Sequence, residues 1–235
     1  MRRINQHQRS STIQISHLDI LGQLRYERQF GMPVIDAYQS EVPKCLIRWD
    51  EAMRASMCSC TPHFYIYDEL FTAIVRTPDR YLPIIKRFPS IIGPDFSQYV
   101  NMPKPVRMYN AFLNKAITAF WQQNGINVIP NVTWSTPDSY DYSFAGLPQN
   151  SVVSINCNGI RAHSSSQYLW IKGYKEALNR LKPSCIIRYG DRMIEENVDI
   201  SVYFPNEQIE KARCASKSCG KTRKENKIMN QLKIM

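Results

Sequence analysis

From residue 44 onward, short apolar runs alternate with longer amphipathic stretches. The first run is Cys45-Leu46-Ile47-Arg48-Trp49, ending in Asp50; the second is Phe64-Tyr65-Ile66-Tyr67, ending in Asp68. Ile91-Ile92 then leads into the segment GPDFS. Val128-Ile129-Pro130-Asn131-Val132 and Val152-Val153-Ser154-Ile155-Asn156 follow, then Cys185-Ile186-Ile187-Arg188-Tyr189 and finally Val198 to Phe204. Between these runs, apolar spacing predicts helices over 69–75, 79–88, 104–124 and 168–181. In the longest of them, Val106, Tyr109, Ala116, Ile117, Phe120 and Trp121 form an apolar face, and Gly125 stops the helix.

Runs that are apolar on both faces and spaced by helices point to a parallel sheet covered on both sides. The fold class expected is α/β, built from parallel β/α repeats. Seven units in one domain favour an incomplete or distorted (β/α) barrel over an open doubly wound sheet. Residues 1–43 read as an N-terminal arm with one amphipathic stretch over 13–26. Residues 44–205 read as a single α/β domain, and 206–235 as a basic, disordered tail. The polar and aromatic segment 133–151 is too long for a plain connection and too aromatic for disorder, which marks it as functional.

Charge sharpens this division. The chain carries a net +10, yet residues 211–235 hold eight basic side chains against Glu225 alone, and Arg2, Arg3 and Arg9 supply the rest. Residues 11–210 are therefore neutral. Any attraction to nucleic acid would come from the tail, with Lys217, Lys221, Arg223, Lys224 and Lys227 as candidate phosphate contacts. No run is long enough to span a membrane and the N-terminus lacks a signal-peptide core, so no membrane partner and a cytoplasmic location are expected.

The seven cysteines, an odd number without a secretory signal, are expected as reduced thiols. Neither Cys58-x-Cys60 near His63 nor Cys214-x4-Cys219 has the paired spacing of a structural zinc site. Zinc is not expected; a divalent cation held by oxygen ligands is compatible with the sequence.

In a parallel architecture the side chains just past the strand ends converge on one rim. Those positions carry Asp50; Asp68; Asp95 and Ser97; Asn131 and Trp134; Asn156 and Asn158; Tyr189 and Asp191. Asp68, Asp95 and Ser97 are the candidate catalytic residues, with the carboxylates suited to acid–base work or to a hard metal. Asn131, Trp134, Tyr140, Asn156 and Tyr189 are the candidate ligand contacts, Trp134 and Tyr140 as an aromatic platform. Plainer roles compete: Asp68 and Asp95 could cap turns, the asparagines could satisfy backbone, and Trp134 could be core. His63, at the entry end of the second strand, reads as structural, whereas His163 follows the fifth strand. Dinucleotide fingerprints, P-loops, nucleophile elbows and zincin helices are absent, as are helix-turn-helix, RRM and zinc-finger signatures.

The ordered blocks HFYIYDELF, GPDFSQYVNMP, YNAFLNKAITAFWQQNGINVIPNVTW, FAGLPQNSVVSIN and PSCIIRYG resemble a bacterial and phage family, domain of unknown function 4417. The resemblance spans about residues 63–190. It rests on Phe64, Asp68, Phe71, Pro94 to Ser97, Asn110, Trp121, Gly125, Pro130, Trp134, Phe144, Gly146, Pro148, Ser151, Tyr189 and Gly190. Members often show Tyr-Arg-Asn-Arg in the long helix, where this chain reads Ala111-Phe112-Leu113-Asn114-Lys115. The resemblance implies a role in phage or mobile-element replication, maintenance or host interaction, with no established activity to carry over. Three functions stay open: a hydrolase-like or metal-assisted enzyme acting on a small ligand at the rim, a nucleic-acid-binding protein using its tail, and a non-catalytic partner-binding protein.

Overall fold

A computed structural model describes residues 21–56, 59–193 and 200–206. The tail candidates Lys217, Lys221, Arg223, Lys224 and Lys227 lie outside the described residues, as do Cys58, Cys214 and Cys219.

Strand β1 (Leu46–Arg48) runs into helix α1 (Trp49–Ala52), and β2 (Thr61–His63) pairs parallel to β1. Two short helices, α2 (Ala73–Arg76) and α3 (Leu82–Ile85), lead to β3 (Ile91–Ile92). The long helix α4 (Lys104–Gln123) precedes β4 (Val128–Ile129), which pairs parallel to β3. Helix α5 (Tyr140–Phe144) lies in the long connection to β5 (Val152–Cys157). Helix α6 (Ser164–Leu181), β6 (Cys185–Gly190) and β7 (Ser201–Phe204) complete the order, and β5, β6 and β7 form one parallel sheet.

The α/β class stands, but the described residues form three short parallel sheets and no closed barrel. The cause is local. β3 and β4 are each two residues long, and Pro94 and Pro130, which have no N–H to give, follow almost at once. Beyond the ladders, Ser154 N donates to Pro130 O (2.9 Å) and Val132 N to Ser154 O (2.8 Å), joining β4 to β5 through one bridge. Between β2 and β3 the link is a side-chain bond, Thr61 Oγ1 to Ser90 Oγ at 2.7 Å.

Alternation along the strands gives each face its own core. Leu46, Tyr65, Ile92, Ile129, Val152, Ile187 and Tyr189 meet in one cluster. The alternate residues Ile91 and Val128 pack with Phe71, Ile117 and Trp121 on the helical side. Val153, Ile155 and Ile186 do the same beneath α6, against Trp170, Tyr174 and Leu181. Both strand faces are therefore buried, as the unbroken apolar runs imply.

Several elements depart from the sequence pattern. The second ladder sits at Thr61–His63, ahead of the apolar run, because Ile66 N turns back to Phe64 O (2.8 Å). His63 thus closes its strand rather than opening it. The helices expected over 69–75 and 79–88 break into 3-10 turns plus four-residue helices. Segment 133–151 folds inward through α5, burying Tyr140, Tyr142 and Phe144. Cys45 and Cys60 form a disulfide rather than remaining thiols: they flank the first β1–β2 pair with Cα atoms 4.5 Å apart, and Thr61 N donates to Cys45 O (2.8 Å). Cys157 and Cys185 are free thiols.

Residues 24–38 lie along this body. Ile35 N donates to Gly146 O (2.8 Å), and Gln122 of α4 brackets Asp36, accepting from its N–H and donating to its carbonyl, both at 2.9 Å. Gly146 is required here: its φ is +77°, and a Cβ would stand 2.3 Å from Pro33 O.

Candidate functional site

The segment Gly93–Ser97 leaves β3 and is held on every side by side-chain amides and a carboxylate. Asn114 of α4 accepts from Phe96 N (2.7 Å) and donates to Phe96 O (3.2 Å), so its one amide satisfies both backbone groups. One helical turn earlier, Asn110 Nδ2 donates to Ser97 O (2.6 Å). Asp68 accepts from Ser97 N (3.1 Å) and from Ser97 Oγ (3.0 Å). Gly93 has no room for a side chain, since a Cβ would lie 2.5 Å from Thr118 Oγ1. A loop pinned at this many points holds the side chain of Asp95 in one place.

That side chain is met by two strand ends. Asn131, after β4, donates from Nδ2 to Asp95 Oδ1 (2.8 Å); Asn156, on β5, donates from Nδ2 to Asp95 Oδ2 (2.8 Å). Neither amide is free to turn around. Tyr65 OH donates to Asn131 Oδ1 (3.0 Å), while Asn131 Nδ2 also reaches Pro94 O (3.0 Å). Asn156 Oδ1 accepts from Asn158 N (2.9 Å). Tyr65 lies 2.5 Å from Ser154 Oγ, and burial raises its pKa well above the ordinary phenol value, so it remains a donor.

Burial dominates the Asp95 carboxyl and lifts it to about 6; the two amide donors work against that shift, and the Asp68 charge adds to it. Asp68 is also raised by burial, and its bonds to Ser97 partly offset the rise. A carboxyl that titrates near neutrality can both take and give a proton at working pH.

Asp95 opens onto a cleft of about 330 Å³. Its lining includes Ser97, Tyr99, Val100, Trp134, Asn158 and Trp170. The two tryptophans have ring centroids 6.0 Å apart, and Trp134 lies so close to α6 that a Cβ on Gly173 would be 2.0 Å from its Nε1. Trp170 Nε1 donates to Asn156 O (3.3 Å), tying the aromatic wall to the asparagine that grips Asp95. Ser135, also on the cleft wall, has a buried hydroxyl with no hydrogen-bond partner.

The fold thus brings together Asp95, Ser97, Asn131, Trp134 and Asn156. Asp68 touches the cleft only through Ser97, as a clamp on the loop. Two other candidates lie elsewhere. Tyr140 is buried and stacks on Phe144 (5.7 Å), because the segment carrying it is the inward-folded α5. Tyr189 points into the interior against His63 (4.3 Å) and Tyr65 (5.2 Å). Trp170, not Tyr140, is the aromatic neighbour of Trp134 in the cleft. His163 is exposed ahead of α6, and His63 is buried, its pKa lowered to about 3 by burial and then by the Arg48 charge. Asp50 pairs with Arg48 (2.8 Å), and Asp191 accepts weakly from Arg161 N (3.5 Å).

Tyr65, Asn110, Asn114 and Trp170 escape a reading confined to strand ends. A signal for two of them was present: Asn110 and Asn114 are spaced i, i+4 on a helix that otherwise buries its inner face. Lys115 follows them; its Nζ donates to Ala111 O (3.4 Å) and Tyr142 O (3.3 Å), and burial draws its pKa down to about 7 against the pull of the Glu27 charge. It is not among the residues that line the cleft.

The donor set does not fit a hard cation. Both oxygens of Asp95 accept from amide NH2 groups, and the amide oxygens of Asn131 and Asn156 are turned to Tyr65 and to Asn158 N. Among the described residues no three His, Cys, Asp or Glu side chains gather as a metal site, and no helix is long and apolar enough to cross a membrane.

The family described as domain of unknown function (DUF4417) matches residues 24–205. The chain is 35% identical over 138 residues to the Gene 1 protein of Mycobacterium phage L5, covering 59% of this chain and 60% of that protein. It is 32% identical over 152 residues to the Gene 1 protein of Mycobacterium phage D29, covering 63% and 56%. The chain therefore spans less than two thirds of the length of either relative. No solved structure matches.

Proposed function

The chain belongs to the phage-associated DUF4417 family, and from that premise we propose that its strand-end cleft binds a small polar ligand, with Asp95 as the acid–base group. One observation carries the reading: a single carboxyl, held at both oxygens by Asn131 and Asn156 from successive strand ends, lining a cleft that Trp134 and Trp170 also line. Each oxygen keeps a lone pair for a ligand N–H or O–H, and a carboxyl titrating near 6 changes charge within the working range. The work falls to one acid–base group, since Asp68 is committed to the Ser97 loop. Asn131, oriented by Tyr65, and Asn156, oriented by the Asn158 amide, are positioning residues. The strands support a wrap resembling a barrel left open, with the cleft at the carboxyl ends of β3, β4 and β5, where such folds place ligands.

The test is a thermal-shift screen near pH 7 of the full chain and Asp95→Asn with monosaccharides, nucleosides, amino acids and their phosphate esters. A ligand of the folded state raises the melting temperature by mass action. The expected result is stabilisation by one chemical class in the wild type and its loss in Asp95→Asn. Stabilisation that persists in Asp95→Asn, or none by any class, contradicts the reading.

A further inference from the structure

We propose that the rim around this cleft binds single-stranded nucleic acid, one base entering the cleft while its neighbours stack on exposed tyrosines. The proposal rests on the reading of the cleft as a ligand site and names its substrate class.

The first observation is where apolar surface is left uncovered. Tyr67, Leu70, Tyr99, Val100, Val106 and Tyr109 are exposed, and they account for six of the nine exposed large hydrophobic residues among those described. The three tyrosines are 78%, 59% and 54% exposed. Each lies within two residues of a member of one hydrogen-bonded knot. Tyr67 precedes Asp68, which holds Ser97; Tyr99 stands two residues after Ser97; Tyr109 precedes Asn110, which holds Ser97 O. Ser97, at the centre of the knot, lines the cleft together with Tyr99 and Val100. A phenol ring held at a rigid rim is a stacking platform for any base, with its hydroxyl left in water.

The second observation is the chemistry inside. Trp134 lines the cleft with an edge of the buried Trp170, and Asp95 offers two acceptor oxygens. A nucleobase has the matching form: a flat ring whose edge carries N–H donors. A duplex buries those edges and ring faces, so the arrangement selects single strands.

The third observation concerns the phosphates. The described chain ends at Asn206, whose side chain donates to Asn158 Oδ1 (3.0 Å) on the cleft wall. The positive charge begins five residues later, with Lys211, and residues 211–235 carry eight basic side chains against one acid. The neutral body leaves attraction for a polyanion to that segment. This charge favours nucleic acid over a protein as the occupant of the tyrosine surface.

The test is fluorescence anisotropy of the full chain with a labelled mixed-sequence oligonucleotide of about 20 nucleotides, as single strand and as duplex, at about 50 and about 200 mM salt. The expected result is tighter binding of the single strand. Tyr99→Ala and Tyr67→Ala should each weaken it by roughly 5- to 100-fold, while Tyr99→Phe retains affinity. Replacing Lys217, Lys221, Arg223, Lys224 and Lys227 by alanine should flatten the salt dependence, and melting temperatures confirm folding. Equal binding of duplex and single strand with the tyrosine variants at wild-type affinity overturns the proposal, leaving only charge attraction. So does absence of oligonucleotide binding, including the case in which a protein occupies the surface instead. If oligonucleotides fail while a small ligand still stabilises wild type but not Asp95→Asn, this proposal falls and the cleft reading stands.

Discussion

Replacing Asp95 by asparagine is expected to remove a pH-dependent loss of stability between about pH 4 and pH 7. Burial lifts this carboxyl to about 6 in the folded protein, against roughly 3.9 in an unfolded chain. Between those values the folded protein keeps a proton that the unfolded chain has released. Stability therefore falls as pH rises through the window, with no penalty below about 4 and the full penalty above about 6. At about 1.4 kcal/mol per pH unit, the loss comes to roughly 3 kcal/mol. His63 works in the opposite direction. Its pKa is lowered to about 3, so its contribution is present above the unfolded value of roughly 6.5 and is lost as pH falls. The two slopes oppose each other in the wild type, so the difference between the two proteins isolates Asp95. Asparagine also gives up one of the two amide contacts, a roughly constant cost of about 1 kcal/mol. Urea unfolding of both proteins at steps from about pH 4.5 to 7.5 should show wild-type stability falling relative to Asp95→Asn by roughly 2–3 kcal/mol. Parallel profiles would refute the reasoning, because Asp95 would then titrate like a solvated carboxyl.

Other perturbations follow from the same contacts. Asn114→Ala leaves both Phe96 backbone groups buried without partners, and urea unfolding should register a loss of roughly 2–4 kcal/mol. Gly93→Ala drives a Cβ to 2.5 Å from Thr118 Oγ1; it should cost roughly 1–3 kcal/mol, much of it recovered when Thr118→Ala is added, as a double-mutant cycle would measure. Lys115→Met should stabilise the protein near pH 7 by roughly 1–4 kcal/mol. Because the Lys115 pKa is lowered to about 7, wild-type stability should also rise from pH 7 towards the unfolded lysine value of roughly 10.4, a slope missing from the Met variant.

The sequence reveals the positions of the strand ends better than the partners found there. Apolar runs broken by Asp95, Asn131 and Asn156 place these residues on one rim, because a polar residue that ends a two-faced apolar strand has nowhere else to go. Their division of labour was not legible. Asp68 and Asp95 look alike along the chain, yet one clamps the Ser97 loop and the other faces the cleft, a difference set by the approach of β2 to β3. Tyr140 sits in a stretch polar enough to read as a rim loop; only the short helix α5 turns it inward onto Phe144. The described strands form three short parallel sheets for an equally local reason, the prolines that follow β3 and β4, each two residues long.

The most direct measurement is a backbone-amide NMR titration of the full chain with single nucleosides, for wild type and Asp95→Asn. The expected result is shift changes concentrated at 97–100, 133–135 and 156–160 in the wild type, absent in the variant. Shift changes elsewhere, or the same changes in both proteins, would contradict a ligand site built on Asp95.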